Sequence, residues 1–430
     1  MSALDRSGAG DGSGPADGSG PADGSGRLRV FLGAFGQPGH TFPMLALGAE
    51  LASRGHEVLF ETWSRWRAEV EAEGMQFAAA PEYPTFPTPQ EPVKPYEAVV
   101  MAATETRRTM AGFAPDVVVH DILTLAPSLV GELEGVPVAT LIPHVYPVGM
   151  PGLPPYAFGA RMPRTKVGRT LWRAFDRPVR AGLRQGREEL NESRRRLGLA
   201  PVTRMHGGLS EQLCMVATLP ALEYPRPWPA HVHVVGPLLW EPPFQRVAPP
   251  PGDRPLVLVA PSTAQDPDHR LLRAAVEGLA DEPVRVLATW NRRPLDRPLA
   301  VPANTRLVEW VSYAATMPEC ALVICHAGHG TLVRALASSC RVLAVPHVGD
   351  MSENAARVDW AGAGVRLPWA LLGPRTLRLA VRRALSRPAL GARAAQLAAW
   401  AAANPGAVRA ADLVTELARR GRDGGVVSAG

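Results

Sequence analysis

Residues 325 to 331, Cys-His-Ala-Gly-His-Gly-Thr, bring two histidines, two glycines and a threonine together directly after an apolar run. The run before them predicts a strand, and the Leu-Val-Arg-Ala-Leu segment after them predicts a helix. Glycine lets the backbone approach a ligand closely, and the first N–H groups of a helix lack partners and attract anions. The pattern therefore predicts an anion site; the alternative is a tight turn in which Thr331 caps the helix.

Three other predicted strand ends in the same half of the chain also carry polar or aromatic side chains. Ser262 and Thr263 follow one strand, Trp310 ends another, and Asp350 follows a third after a Gly-Asp turn. Because the carboxyl ends of parallel strands meet at one edge of a sheet, we expect the four strand ends to form one ligand site.

The elements that must position these residues alternate between apolar strands and helices. Arg-Leu-Arg-Val-Phe-Leu-Gly, a helix ending at Gly55, and Gly-His-Glu-Val-Leu-Phe-Glu-Thr open a first series, and a second begins after a proline-rich stretch. Two such series predict an α/β fold with two Rossmann-like, doubly wound domains facing a central cleft. The predicted boundaries are a disordered tail at 1–26, a first domain at 27–238, a linker at 239–254, a second domain at 255–420 whose final helices pack back toward the first, and a flexible tail at 421–430.

At this point the chain resembles the GT-B glycosyltransferases of family 1, especially the actinobacterial enzymes that glycosylate natural products. The resemblance extends from about residue 28 to about residue 418 and is most specific over 308–364. It implies that Trp310 stacks on a nucleotide base and that Asp350 bonds sugar hydroxyls. The residues that would bind the donor are Ser262, Thr263, Trp310, Val311, His326, Gly328, Gly330, Thr331, Asp350, Met351 and Asn354, with His326, Gly330, Thr331 and Ser262 on the diphosphate.

The same resemblance places His40, in Gly-His-Thr-Phe-Pro, on the family's catalytic base and Asp121 on the aspartate that pairs with it. A neutral imidazole accepts a proton near pH 7, and a carboxylate behind it fixes its tautomer. A histidine without such a partner is more often structural, so the interpretation depends on Asp121. We interpret His56 and His120 as structural and expect that His144 could face the acceptor.

The implied reaction is an inverting, metal-independent transfer of a sugar from a dTDP- or UDP-sugar to a small hydrophobic acceptor, with no resident cofactor. Loops at 81–100 and 144–175 would supply an aromatic acceptor pocket from Phe86, Tyr96, Tyr146, Tyr156, Phe158 and Trp172. The alternatives are a nucleotide-sugar 2-epimerase, an inactive sugar-nucleotide-binding helper, and a transferase acting at a membrane surface. The last would favour a strongly basic, apolar patch on the first domain, and we predict none.

Two positions depart from the family's pattern. Arg334 stands where a glutamate usually bonds the ribose, and Met351 stands where a glutamine usually bonds the sugar. Arginine accepts no hydrogen bond, and methionine offers the sugar an apolar neighbour. These departures favour a deoxygenated sugar on dTDP over UDP-glucose and leave the base undecided between thymine and uracil.

Composition limits the other classes of partner. The net charge of +6 comes almost entirely from arginine, and with the high glycine and proline content it favours a GC-rich genome over a nucleic-acid partner. The basic stretch 180–199 is interleaved with acids and predicts a solvated amphipathic helix. We find no apolar run of membrane-spanning length, no secretory leader pattern and no metal-ligand cysteine spacing. The sequence therefore predicts a cytoplasmic protein without stable membrane insertion, and a homodimer is compatible with it.

Overall fold

The computed structural model of the chain describes residues 26–82, 95–244, 246–262, 266, 268–292, 294–347 and 349–424. Several of the sequence predictions concern residues outside this set. They are Thr263, Phe86, the side chain of Tyr96, residues 1–25 of the first tail and residues 425–430 of the second.

The first half of the described chain forms a parallel sheet of seven strands in the order β3-β2-β1-β4-β5-β6-β7. Its central strands are buried on both faces, which explains why they read as continuous apolar runs. The strands are β1 Arg29–Gly33, β2 Glu57–Thr62, β3 Gln76–Ala79, β4 Val117–Asp121, β5 Val138–Ile142, β6 Leu213–Val216 and β7 Val232–Val234.

The second half forms a parallel sheet of six strands in the order β10-β9-β8-β11-β12-β13. The strands are β8 Leu256–Ala260, β9 Arg285–Thr289, β10 Thr305–Val308, β11 Leu322–Cys325, β12 Arg341–Ala344 and β13 Gly364–Arg366. Strands β8, β10, β11 and β12 are the four that the sequence predicts ahead of Ser262, Trp310, His326 and Asp350. In the first sheet β3, β6 and β7 are too short or too mixed in polarity to be recognised by periodicity.

Helices connect the strands and cover the sheets. Those of the first half are α1 Pro38–Ser53, α2 Arg67–Ala72, α3 Pro95–Phe113, α4 Leu125–Leu133, α5 Lys166–Arg173 and α6 Asp176–Arg196. Those of the second half are α7 Arg270–Leu279, α8 Tyr313–Thr316, α9 His329–Ala337, α10 Asp350–Trp360, α11 Pro374–Leu385, α12 Pro388–Ala403 and α13 Gly406–Gly424. The described chain contains no helix that is both long and apolar enough to cross a membrane.

The last helix, α13, leaves the second half and packs on the first sheet. Its buried face joins the same apolar core as α1 and the central strands, through Ala410, Ala411, Val414, Leu417 and Ala418. Small residues on this face allow a close approach to the sheet. The helix runs to Gly424, into the segment 421–430 that the sequence assigns to a tail.

Two helix starts near the predicted donor residues follow glycines. The helix after the Cys-His-Ala-Gly-His-Gly-Thr segment begins at His329 with Gly328 as its N-cap, so Thr331 lies inside the first turn and is not the cap. The helix after the Gly-Asp turn begins at Asp350 itself, because Gly349 at φ +61° and ψ −135° supplies the sharp turn that precedes it. All four cysteines are buried and unpaired.

Candidate active site

His40 and Asp121 meet at the carboxyl edge of the first sheet. His40 lies in the first turn of α1, and Asp121 is the last residue of β4, which neighbours β1 in the sheet. The His40 Nδ1 to Asp121 Oδ1 distance is 3.1 Å, and the side chain of His40 is 16% exposed whereas that of Asp121 is fully buried. Because the carboxylate can only accept, Nδ1 carries the proton and Nε2 is left with its lone pair.

The Asp121 carboxylate is held by donors besides His40. Its Oδ1 accepts from the Leu123 N–H at 2.6 Å, and its Oδ2 accepts from the Thr124 hydroxyl at 2.9 Å and from the Phe35 N–H. Burial alone would raise the pKa of Asp121, but His40 and these backbone N–H groups outweigh burial and hold the pKa below its usual value. The group therefore stays ionised behind the imidazole.

His144 lies beside this pair, in the loop after β5. Its Nδ1 is 2.7 Å from the Val145 carbonyl oxygen and 3.2 Å from the Tyr156 hydroxyl, so Nδ1–H is the donor and Nε2 keeps its lone pair. Burial lowers the pKa of His144, and the carboxylates of Asp350 and Asp121 act against that lowering. His144 therefore lies where groups of both halves come together.

The two histidines interpreted as structural behave as such. His120 is buried, and its Nε2 lies 2.8 Å from the Thr140 hydroxyl, so its ring fastens β4 to β5. His56 precedes β2 at the opposite edge of the sheet, where its Nδ1 accepts from the Leu28 N–H at 3.3 Å.

The glycine-rich loop lies at the carboxyl edge of the second sheet. Ala327 has φ +64°, and a Cβ placed on Gly328 would lie 2.3 Å from His326 Nε2, so only glycine lets the imidazole fold over the loop. Burial lowers the pKa of His326, which favours the neutral ring. The N–H groups of residues 329 to 331 form the open N-terminus of α9, and a Cβ at Gly330 would meet nothing within 4 Å. This arrangement can hold a diphosphate.

His329, the second histidine of the loop, was given no role in the sequence. It is buried, with Nδ1 3.4 Å from Asn354 Oδ1 and Nε2 3.3 Å from the Ala217 carbonyl oxygen, at the end of β6 in the first half. Burial lowers its pKa to about 3, so the ring is neutral. His329 therefore joins the glycine-rich loop to the first half of the chain. Because Ala217 is more than a hundred positions away in the sequence, no local pattern could reveal this contact.

The start of α10 supplies the remaining donor-side residues. Asp350 and Met351 are half-buried, and Met351 also packs on an apolar core of the second half that includes residues of β11, β12 and α9. Asn354 is buried and donates to the Ala327 carbonyl at 3.0 Å, so it supports the glycine-rich loop and has little left to offer a ligand. Ser262 lies two residues after β8, the strand next to β11 in the sheet, and is also buried.

Trp310 forms an aromatic surface at the end of β10. Its ring centroid lies 5.5 Å from that of Phe244 and 6.3 Å from that of Tyr313, and the Arg292 guanidinium lies 5.2 Å from it. Phe244, Arg292 and Trp310 line one open pocket, which suits a flat base. The side chain of Val311 is buried in the same apolar core as β11, β12 and α9, so a ligand could meet only its backbone.

Arg334 is directed at the linker. Its Nη2 donates to the Trp240 carbonyl at 2.9 Å, and its Nε lies 3.9 Å from Glu241 Oε2. Glu241 in turn accepts from the Tyr313 N–H at 3.2 Å and from the Ser312 hydroxyl, at the N-terminus of α8. The pair ties the chain between the two sheets to the donor side.

A buried ionic cluster connects α10 to the acceptor side. Arg357 Nη1 donates to Glu223 Oε2 at 3.0 Å, and its Nε donates to Glu353 Oε1 at 2.8 Å. The other oxygen of Glu223 accepts from the Tyr146 N–H at 2.6 Å. The helix that begins with Asp350 is thereby fixed relative to the loop after β5.

The aromatic residues expected to form one acceptor pocket divide into two groups. Tyr156 bonds His144 near the cleft, and Tyr146 is buried. Phe158 and Trp172 instead cluster with Phe175, with centroid separations of 5.1 to 6.3 Å. Phe158 is 55% exposed and α5 has no buried residue, so the described rings do not pack together, and the acceptor pocket stays a prediction.

Comparisons with known proteins give relatives of matching length. A family model described as "Erythromycin biosynthesis protein CIII-like, C-terminal domain" matches residues 273–417. The chain is 29% identical over 425 residues to the 4'-demethylrebeccamycin synthase of Lentzea aerocolonigenes, covering 90% of this chain and 99% of that protein. It is also 29% identical over 436 residues to the O-mycaminosyltylonolide 6-deoxyallosyltransferase of Streptomyces fradiae, covering 91% and 98%.

Solved structures share the architecture at lower identity. The glycotransferase of kitacinnamycin superposes with a TM-score of 0.74 at 22% identity, covering 91% of this chain and 99% of that one. The glycosyltransferase VinC in complex with dTDP gives 0.67 at 20% identity, covering 92% and 100%. The two parallel sheets and these relatives together identify the chain as a glycosyltransferase with the GT-B fold, similar to those of actinobacterial antibiotic pathways.

Proposed function

We propose that this protein is an inverting glycosyltransferase that moves a sugar from a nucleoside diphosphate to a hydroxyl of a small hydrophobic natural product. The observation that carries the proposal is the His40–Asp121 pair, with Nε2 of His40 free to accept a proton, at the edge of the first sheet. His144 lies close enough to Asp121 of the first half and Asp350 of the second for both carboxylates to affect its pKa, which supports a common cleft for acceptor and donor.

In the proposed step, His40 Nε2 takes the proton of the acceptor hydroxyl while that oxygen attacks the anomeric carbon. The bond from the anomeric carbon to the diphosphate oxygen breaks, and its electron pair leaves with the nucleoside diphosphate. A single displacement of this kind inverts the anomeric centre. Asp121 stabilises the imidazolium that forms.

The departing diphosphate gains negative charge, and the proposal assigns its stabilisation to the second half of the chain. The N–H groups at the start of α9 are fixed before reaction, so they stabilise this charge without reorganising. The His326 ring adds a further N–H donor in the neutral tautomer that carries its proton on Nε2, because the contact of its Nδ1 with the Ala260 carbonyl is long, at 3.5 Å. Thr331 in the first turn of α9 adds a hydroxyl donor. The proposal includes neither a resident cofactor nor a metal ion.

For the donor, we propose a deoxygenated sugar on dTDP, with UDP as the alternative base. The Arg334 guanidinium is bound to Trp240 and Glu241 of the linker and gives the ribose no hydrogen-bond acceptor. Met351 gives the sugar an apolar neighbour. The name of the Streptomyces fradiae relative contains a 6-deoxyallosyl group, and VinC was solved with dTDP. These are properties of those proteins and support the proposal by similarity.

The decisive experiment incubates the purified protein with a panel of dTDP- and UDP-sugars, with and without candidate aglycones. We expect one dTDP-deoxysugar to raise the melting temperature and to release dTDP, faster with an acceptor. A 2-epimerised nucleotide sugar formed without acceptor would overturn the proposal in favour of an epimerase. Binding without any turnover across acceptors would favour the inactive helper.

A further inference from the structure

One surface of the first half exposes apolar side chains that a folded protein ordinarily covers. Among the described residues, twelve large hydrophobic side chains are exposed, and five of them lie within 22 positions: Phe158, Val167, Leu171, Phe175 and Val179. Val167 is 71% and Leu171 is 68% exposed. No residue of α5 is buried, and the buried residues of α6 begin only at Leu190. Nothing in the described chain covers this face.

The same segment concentrates positive charge. Residues 161–187 contain nine arginines and lysines against one aspartate, a net charge of +8, which exceeds that of the whole chain. Within the described chain, eight of these nine cations form no ion pair. The ninth, Arg161, lies 3.1 Å from Asp359. The expectation that the first domain carries no conspicuous basic, apolar patch was therefore wrong. The reason is that the sequence shows the charges but not that the apolar face beside them stays uncovered.

The two kinds of side chain are separated around α5. At 100° per residue, Lys166, Arg169 and Arg173 fall within one narrow arc of the helix. Val167 and Leu171, four positions apart, fall together on the opposite side, and Trp172 lies between the two sides. A helix of eight residues is marginal in water by itself, so it gains from a surface that takes both of its faces.

We propose that this basic apolar surface, Phe158 to Arg180, docks on an anionic lipid bilayer. Cations on one side and Val and Leu on the other are the pattern of a helix that lies in the headgroup region with its apolar side toward the acyl chains. The unpaired arginines match the charge of an anionic leaflet. A nucleic acid would match the charge but leave Val167 and Leu171 in water, so a membrane accounts for more of the surface.

The surface adjoins the cleft. Tyr156, which bonds His144, is two positions from Phe158, and the Gly159 carbonyl accepts from Arg366 of the second half. A Cβ at Gly159 would lie 2.5 Å from the Ser352 side chain, beside Asp350. If the proposed transfer holds, a hydrophobic acceptor dissolved in the bilayer reaches His40 from this side.

The test is flotation of the full chain with vesicles of phosphatidylcholine containing about 30 mol% phosphatidylglycerol, against pure phosphatidylcholine vesicles. We expect binding to the anionic vesicles, weakened by salt, and a loss of at least about tenfold in the V167E/L171E variant. A Val301→Glu/Leu379→Glu variant, with the same chemical change at exposed sites of the second half, is the matched control and should bind like the parent. Because all four sites are exposed, both variants should fold like the parent, and equal melting temperatures check this.

Three results would overturn the inference. The parent chain could ignore both kinds of vesicle, or the V167E/L171E variant could bind as well as the parent. Alternatively, the parent could sediment as a dimer that V167E/L171E dissociates, with no vesicle binding, which would make the surface an interface between two copies. Because flotation needs neither donor nor acceptor, its outcome is independent of the proposed transfer, and donor hydrolysis should be unchanged in V167E/L171E.

Discussion

Replacing His40 by alanine should abolish catalysis while leaving the donor site and the fold nearly unchanged. The loss of a general base costs about 10² to 10⁴ in turnover, about 3 to 5 kcal/mol of transition-state stabilisation. Donor affinity should stay within about threefold, because the glycine-rich loop that would hold the diphosphate belongs to the other sheet.

The cost to stability is small for a reason visible in the structure. Asp121 loses the imidazole but keeps the donors Phe35 N–H, Leu123 N–H and Thr124 hydroxyl, so the buried carboxylate remains satisfied. One hydrogen bond is lost, about 1 kcal/mol, and alanine is the better helix former in the first turn of α1.

The assay is steady-state release of the nucleoside diphosphate with acceptor present, alongside calorimetric titration of dTDP. His56→Ala is the matched control, since His56 lies at the opposite edge of the same sheet and, among the described residues, bonds the Leu28 backbone. It should retain activity within a few-fold. If His40→Ala also retains turnover within a few-fold of the parent, His40 is structural and the proposed mechanism is wrong.

Asp121→Asn provides a second test of the same pair. Both carboxylate oxygens face donors, so the amide NH₂ must meet an N–H or O–H whichever way it turns. If it faces His40, the imidazole must present a lone pair at Nδ1 and carry its proton at Nε2, which removes the base. Turnover should fall by orders of magnitude, together with some loss of thermal stability.

Three further outcomes are expected. His326→Ala and Thr331→Ala should each weaken dTDP binding by about 1.5 to 3 kcal/mol, because each removes a neutral donor to a charged group; unchanged affinity in calorimetry would refute the diphosphate assignment. Arg334 is bound to the linker and gives the ribose hydroxyls no acceptor, so the loss of the 2′-hydroxyl costs little and dTDP should bind at least as tightly as UDP. A UDP preference of tenfold or more, about 1.4 kcal/mol, in parallel titrations would contradict this. Burial raises the pKa of Glu61 to about 7, so between pH 4.5 and 7 the folded state keeps a proton on this carboxyl that the unfolded state has released. The free energy of unfolding should therefore fall as the pH rises from about 4.5 to 7, by up to about 3 kcal/mol. Glu61→Gln should therefore be more stable than the parent at pH 8 but not at pH 4, as measured by chemical denaturation; a constant difference would mean that Glu61 does not titrate in this range.

The sequence alone determined those features that depend on local chemistry. Apolar, β-branched runs such as Val117 to Val119 favour buried strands. Glycine suits position 328 because a Cβ there would meet the His326 ring, and position 349 because its φ is positive. Because the carboxyl ends of parallel strands share an edge, the grouping of Trp310 with His326 at one edge also followed from the order of elements.

Only the tertiary structure decided which partner each side chain meets. Arg334 turns to Glu241, more than ninety positions away, and His329 turns to the Ala217 carbonyl. Asn354 supports a loop, although its place in the sequence favoured ligand contact. Periodicity shows that α5 has an apolar side, but whether another element covers that side depends on packing between segments far apart in the chain, and here none of the described residues does.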